Sequence, residues 1–203
     1  MQILNLNTHK VFFERGVFIH YNHTTMKTKS FISFLLLITF GTFSSCNLLD
    51  KADDVSFNVT IPLTFIIDEN VDSPGGMAYS DTQLLDATTN SEVAKYASKI
   101  KEFKVNKVTY TISPGADPST VIFSNGALKI SSTAKTIASA TSVSLTNTAE
   151  TELTSDTAGF NELATKLLDD KQEMILMNGT LSKTPVAFSV KFNFYITITA
   201  NAL

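Results

Sequence analysis

Apolar and polar residues alternate in two long stretches of the chain, residues 55–67 and 188–198. In each stretch every second side chain is apolar, and most of the residues between are Ser, Thr, Asn or Lys. A period of two places the two sets on opposite faces of a strand. Both stretches are therefore predicted to be long strands with one buried face. The pattern leaves open whether they pair with each other.

Shorter segments of the same character lie between these two stretches. They are residues 103–112, 119–123, 127–130, 136–145 and 173–181. The apolar phase changes within the first of them, which predicts a bulge near Asn106 and Lys107. Asn125 and Gly126 separate two of the segments and predict a hairpin turn. Pro62 lacks a backbone N–H and is expected at a bulge or at an outward-facing edge position.

Two segments have the period of an amphipathic helix. One is residues 91–102, at whose start Thr89 and Glu92 have the spacing of a capping box. Residues 159–170 carry an apolar stripe of Phe and Leu side chains.

The predicted fold class is mainly β, an antiparallel or mixed β-sandwich of about seven strands with two short accessory helices. A closed barrel is the alternative. Antiparallel pairing is favoured because most connections are too short for crossover helices. The sandwich domain is predicted to span residues 55–203.

The N-terminal part of the chain has the order of an export signal. Lys27 and Lys29 precede an apolar run, residues 31–40, and small residues then lead to Cys46, the only cysteine. The run is ten residues long, whereas a membrane-spanning helix needs about 20. A charged segment, an apolar segment and small residues in this order are typical of a signal peptide.

The segment Phe43, Ser44, Ser45, Cys46 resembles the lipobox of bacterial lipoproteins cleaved by the type II signal peptidase. After this leader, the predicted order of a strand, a helix, further strands, a second helix and two final strands resembles small uncharacterised outer-membrane lipoproteins of the Bacteroidota. The resemblance implies that Phe43, Ser44 and Ser45 are recognised by the peptidase, and that Cys46 carries a covalent lipid such as palmitate.

Four segments follow from this resemblance. Residues 1–25 are predicted to be a non-native upstream extension, with translation starting at Met26. Residues 26–45 are the predicted lipoprotein signal peptide, and residues 46–54 form a charged, lipidated tether. The tether is followed by the sandwich domain.

The amino-acid composition after Cys46 argues against several kinds of catalytic and nucleic-acid-binding sites. All three histidines and the only arginine precede Cys46, and the chain has no Trp. Without histidine there is no Ser-His or Cys-His nucleophile pair. The residues after Cys46 include 12 lysines and 18 carboxylates. This acidic balance argues against binding of nucleic acid, which proteins bind through Lys and Arg.

Two sets of residues are candidates for ligand contacts. Asp68, Asn70 and Asp72 have the alternating oxygens of the start of a calcium loop, but Ser73 and Tyr79 stand where the Gly and Glu of that loop are required. The full motif is therefore absent, but oxygen ligands alone could hold calcium in an irregular loop. Calcium is kept as a candidate ligand on that ground, and no other cofactor is expected. Tyr195, on the polar face of the last strand, and Tyr79, in the Pro-Gly-Gly loop, are candidates for exposed ligand contacts.

The predicted function is that of a non-catalytic envelope lipoprotein, held at the outer membrane or the cell surface by its lipid. It would bind a protein or glycan partner or serve a structural role. One alternative is a lipid- or glycan-binding accessory module with a ligand between the sheets or under a helix. The other is a hydrolase that uses two carboxylates, which requires a pair about 5 to 10 Å apart.

Overall fold

The computed structural model describes residues 53–115 and 120–202, and within them the chain forms nine strands and two α-helices. The strands are β1 (Asp54–Ser73), β2 (Met77–Asp86), β3 (Ile100–Pro114), β4 (Ile122–Ile130), β5 (Thr136–Ser144), β6 (Thr151–Glu152), β7 (Thr154–Ser155), β8 (Gln172–Leu181) and β9 (Thr184–Asn201). The helices are α1 (Ser91–Tyr96) and α2 (Thr157–Asp170). A 3₁₀ turn, Ala87–Thr89, precedes α1.

The strands form two sheets, and every pairing is antiparallel. Sheet A has four strands in the order β1-β9-β3-β6, and sheet B has five in the order β2-β8-β4-β5-β7. The mainly β sandwich with two helices predicted from the sequence is thus confirmed. The first and last long strands pair with each other, from Asp54 opposite Asn201 to Ser73 opposite Thr184.

The core lies between the two sheets and is built from the apolar positions of the alternating strands. Phe65 of β1 and Phe192 of β9 meet edge to face, with ring centroids 5.8 Å apart. Ile61 and Phe194 are completely buried. Burial of a large apolar side chain contributes about 1.5–3 kcal/mol, so the alternation itself fixes which face of each strand turns inward.

Two features of the backbone agree with their sequence signals. Pro62 lies on β1, the outer strand of sheet A, where its missing N–H disrupts no ladder. In β3 the pairing with β9 shifts between Val105 and Lys107. Asn106 is the additional residue, so the predicted bulge is present.

The strand count differs from the prediction for two reasons. No alternating pattern marks β2, whose inward positions include the polar residues Asp81 and Gln83, or the two-residue strands β6 and β7. The predicted hairpin at Asn125 and Gly126 is wrong. Both residues lie inside β4, where Asn125 has φ 50°, and the pairing with β8 shifts between Ser124 and Ala127. The left-handed residue makes a bulge in one continuous strand rather than a turn.

The first helix is shorter than predicted and begins with a different cap. Its N-cap is Asn90, whose side-chain oxygen accepts from the backbone N–H groups of Glu92 and Val93; Thr89 does not play this part. The helix ends at Tyr96 because the chain enters β3 at Ile100, opposite Ala200. Pairing with the sheet overrides the helical pattern of the following residues.

The second helix contacts both sheets, packing against β3 of sheet A and against β5 and β8 of sheet B. Asp156 caps it by accepting from the N–H of Gly159 at 2.8 Å. Phe160, Leu163 and Leu167 are buried on its apolar face. Among the described residues, no helix has the length and hydropathy needed to cross a bilayer.

Candidate functional site

The outer face of sheet A is polar and its side chains are linked across the strands. Ser56 and Thr199 lie opposite each other with their hydroxyl oxygens 3.2 Å apart. Thr197 donates to Oδ1 of Asn58 at 2.7 Å and accepts from Nδ2 of Asn106 at 2.9 Å. These contacts tie together β1, β9 and β3.

A single carboxylate oxygen gathers three donors on the same face. Oε1 of Glu150 accepts from the hydroxyl of Thr109 at 2.5 Å, from that of Tyr195 at 2.8 Å and from Nδ2 of Asn193 at 3.2 Å. Thr109 is buried, while Glu150 is exposed. The segment between β5 and β6 is thereby fastened to the centre of sheet A.

These hydrogen bonds shift the pKa values of Glu150 and Tyr195. The hydrogen bond from Thr109, followed by those from Tyr195 and Asn193, lowers the pKa of Glu150 from 4.5 to about 2. The hydrogen bond to Glu150 raises the pKa of Tyr195. Glu150 is therefore a fixed anion at neutral pH, which does not suit the proton-donating role in glycoside hydrolysis.

The ring of Tyr195 also contacts a cation. The Nζ atom of Lys107 lies 4.6 Å from the ring centroid, a distance at which the ammonium is attracted to the aromatic face. Lys107 stands opposite Tyr195 in the β3–β9 register, directly after the bulge at Asn106.

A concavity of about 440 Å³ opens beside this tyrosine. It crosses all four strands of sheet A, because β1, β9, β3 and β6 each contribute to its lining. Its lining residues are Asn58, Val59, Thr60, Asn106, Lys107, Glu152, Tyr195 and Ile196. The bulge at Asn106 lies within this lining, and an additional residue increases the local twist of a strand.

The interior of the sandwich offers much less space. An apolar cavity of about 40 Å³ lies between the sheets, lined by side chains such as Phe123, Leu128 and Phe192. Sites for small molecules usually measure 300–1,000 Å³. A ligand between the sheets would therefore require the sandwich to open, whereas the outer concavity is already formed.

The two tyrosines predicted to contact a ligand have different positions. Tyr195 lies on the outward face of β9 as expected and lines the concavity. Tyr79 belongs to β2 and is only 8% exposed, so its predicted exposure in a loop is wrong. It meets Phe123 edge to face at 6.4 Å, and burial raises its pKa to about 12. The ring of Tyr79 is buried on the inward face of sheet B.

The predicted calcium ligands lie near the end of β1, in extended backbone rather than in a loop. Asp68, Asn70 and Asp72 are all exposed, and Nδ2 of Asn70 donates to Oδ1 of Asp68 at 3.2 Å. In the described part of the chain, no three His, Cys, Asp or Glu side chains are grouped as a metal site would need. The predicted lipidation residue Cys46 and the peptidase residues Phe43, Ser44 and Ser45 lie outside the described residues.

Sequence reasoning missed the acidic part of the site. Glu150 and Glu152 lie in or beside β6, which is two residues long, and a strand of that length has no detectable period. The Thr-Glu-Thr composition around them is typical of an exposed loop. Only the pairing of β6 with Thr109 and Tyr110 brings them to sheet A.

Comparisons with known proteins give no family. No family model matches the chain, and no curated protein matches it. Among solved structures, it is similar to Desmodium yellow mottle tymovirus (11% identity, 74% of this chain and 89% of the other, TM-score 0.40). It is also similar to the decameric BFDV capsid protein (10% identity, 71% and 98%, TM-score 0.42) and to turnip yellow mosaic virus (7% identity, 73% and 96%, TM-score 0.34). With all three scores below 0.5, nothing about capsids is inferred for this chain.

Proposed function

We propose that this protein is a non-catalytic lipoprotein of the bacterial cell envelope, anchored in the outer membrane by an acylated Cys46 and bearing a β-sandwich that binds a partner or ligand. The observation that carries the proposal is the order of two lysines, a short apolar run and small residues before the only cysteine. That order resembles a lipoprotein signal peptide. The sandwich would face the periplasm or the cell surface.

The position of the first strand is compatible with such an anchor. The strand β1 begins at Asp54, and the segment from Cys46 to Asp54 can span at most about 30 Å when extended. The ion pair between Asp54 and Lys101, with Oδ1 and Nζ 2.6 Å apart, holds the start of β1 against β3. The tether would therefore keep the sandwich close to the bilayer and join it at one defined end.

The outer face of sheet A is the part of the domain best suited to binding. It presents amide, hydroxyl, ammonium and carboxylate groups around a preformed concavity. The interior cavity of about 40 Å³ gives less support to a lipid held between the sheets. The low pKa of Glu150 gives little support to a hydrolase.

Acylation and membrane fractionation test the proposal. The full-length protein, expressed in a bacterial host, should incorporate tritiated palmitate and sediment with the outer membrane. The variant Cys46→Ala should lose the label, while the control Ser45→Ala, which keeps a small residue before the cysteine, should retain it. Absence of label in the wild-type chain, or its retention in Cys46→Ala, would overturn the proposal.

A further inference from the structure

We infer that the concavity on the outer face of sheet A is a binding site for a neutral, polyhydroxylated ligand of the oligosaccharide class. This inference deepens the proposed binding role, but it rests on the geometry of sheet A and not on acylation of Cys46. It follows from the donors and acceptors that the lining residues leave unused.

A chain of hydrogen bonds determines which amide atoms remain available. Asn106 donates through Nδ2 to the hydroxyl of Thr197, which in turn donates to Oδ1 of Asn58. The chain uses one of the two N–H groups of Asn106 and occupies the amide oxygen of Asn58. Nδ2 of Asn58 and Oδ1 of Asn106 then have no hydrogen-bond partner among residues 53–115 and 120–202. The two asparagines therefore offer both N–H groups of Asn58, the second N–H of Asn106 and the oxygen of Asn106.

The charged lining residues add a further donor group and a further acceptor group. Lys107 contacts the ring of Tyr195 but forms no ion pair with any described carboxylate, and Glu152 is exposed and likewise unpaired within the described ranges. The hydroxyl of Thr60 can serve in either role. The lining thus has both donors and acceptors, and the formal charges of Lys107 and Glu152 cancel. The nearby carboxylate of Glu150 is already engaged by three donors through Oε1.

This balance of donors, acceptors and charges favours a neutral ligand with several hydroxyl groups. A sugar hydroxyl is both a donor and an acceptor, so a ligand with several hydroxyl groups can satisfy both sets at once. An anion would meet the carboxylate of Glu152, and a cation would meet the ammonium of Lys107. The ring of Tyr195, on the outward face of β9, supplies apolar surface for the C–H groups of a sugar ring. A neutral glycan meets all of these conditions.

The dimensions agree with this class of ligand. The volume of about 440 Å³ lies within the usual range for small-molecule sites. The concavity is bounded by side chains on four paired strands, so it is largely preorganised. A preformed site reduces the entropy lost on binding.

The test is a titration of the full-length, isotopically labelled protein in detergent micelles with maltose, cellobiose, lactose and chitobiose, followed by NMR. Single disaccharides are expected to bind weakly, with Kd of about 1–10 mM. At least one should shift the side-chain amide signals of Asn58 and Asn106, while glucuronate and glucosamine at equal concentration should shift them less. Overturning results are an absence of shifts with all four disaccharides, shifts confined to other parts of the domain, or larger shifts with the charged sugars.

Matched variants locate the site. Asn58→Leu and Lys107→Met should each weaken binding of the responding disaccharide about tenfold, the effect of losing one or two hydrogen bonds. The control is Lys191→Met, which removes an exposed lysine from the same face of β9 outside the concavity. Equal affinity in all four proteins, or an equal loss in the control, would contradict the assignment. The variant Cys46→Ala should bind the disaccharide unchanged, so failure of the lipoprotein proposal would leave this test intact.

Discussion

The hydroxyl group of Tyr195 donates a hydrogen bond of 2.8 Å to Oε1 of Glu150, joining the middle of β9 to the segment that crosses from sheet B to sheet A. Thr109 and Asn193 donate to the same oxygen. The crossing segment has few apolar anchors, since residues 146–150 are all exposed. Hydrogen bonds to one carboxylate, together with the pairing of β6 with β3, therefore set its position against sheet A.

Replacing Tyr195 by Phe should raise the pKa of Glu150. The substitution removes one of three donors that stabilise the ionised carboxylate and hold its pKa near 2, and the other two remain. The measurement is an NMR titration of the Glu150 side chain. Tyr96→Phe, on the unrelated helix α1, is the control and should leave this pKa unchanged. An unaltered pKa in Tyr195→Phe would mean that the hydroxyl does not bind Glu150 in solution.

The stability of the domain should depend on pH through Glu150. Its pKa is about 2 in the folded protein against 4.5 for the free side chain, so between these values the unfolded state binds more protons. Stability from this group is therefore complete above about pH 4.5 and is lost as the pH falls towards 2. Thermal unfolding of wild type and Glu150→Gln across this window should give midpoints that differ most at neutral pH and converge in acid.

Two parallel curves would contradict this interpretation of the pH dependence. In that case the loss of stability in acid would come from other carboxylates, and Glu150 would have a similar pKa in both states. A separation that grows as the pH falls would contradict it as well.

Asn125 should be replaceable by Gly but not by Ala. Its φ of 50° lies in the left-handed region, where a residue with Cβ is strained by about 1–2 kcal/mol unless its side chain is Asn or Asp. The side chain is exposed, so burial does not obscure the effect. Denaturant unfolding should show Asn125→Ala destabilised by about 1 kcal/mol and Asn125→Gly close to wild type. Equal stability of the two variants would show that the bulge has a different backbone conformation.

Gly159 should not tolerate a side chain. A Cβ atom there would lie 1.8 Å from the carbonyl oxygen of Thr136, because α2 approaches β5 closely at this position. Ala favours a helix over Gly by about 1 kcal/mol, yet the contact with backbone should reverse the sign and destabilise the domain by about 2–3 kcal/mol. Gly75→Ala, whose Cβ would meet nothing within 4 Å, should change the free energy of unfolding by less than about 0.5 kcal/mol. A stabilising Gly159→Ala would contradict the packing of α2.

Alternation of apolar and polar residues predicts a strand correctly only where the inward positions are apolar. Alternation predicted β1 and β9 because their core positions are apolar throughout, and the phase change at Asn106 marked a real bulge. Alternation failed for β2, where Asp81 and Gln83 occupy inward positions of an edge strand and hydrogen-bond to each other at 3.2 Å. Inward charge on an edge strand discourages pairing with other chains, and it also conceals the strand.

The candidate site could be predicted only in part. Tyr195 was found because the phase of β9 places it on the outer face. Its partner Glu150 is distant in sequence and lies beside a strand of two residues, so no local pattern connects them. The Asn-Gly pair was misinterpreted for a related reason. A left-handed residue is compatible with both a turn and a bulge, and the pairing of β4 with β8 on one side and β5 on the other decides between them.

The most direct test of the central proposal is the intact mass of the protein purified from a bacterial membrane, measured beside Cys46→Ala. The proposal predicts a chain that begins at Cys46 and carries the added mass of two or three acyl groups, with the added mass absent from the variant. An unmodified chain that retains residues 1–45 would contradict it and would remove the membrane anchor from this protein.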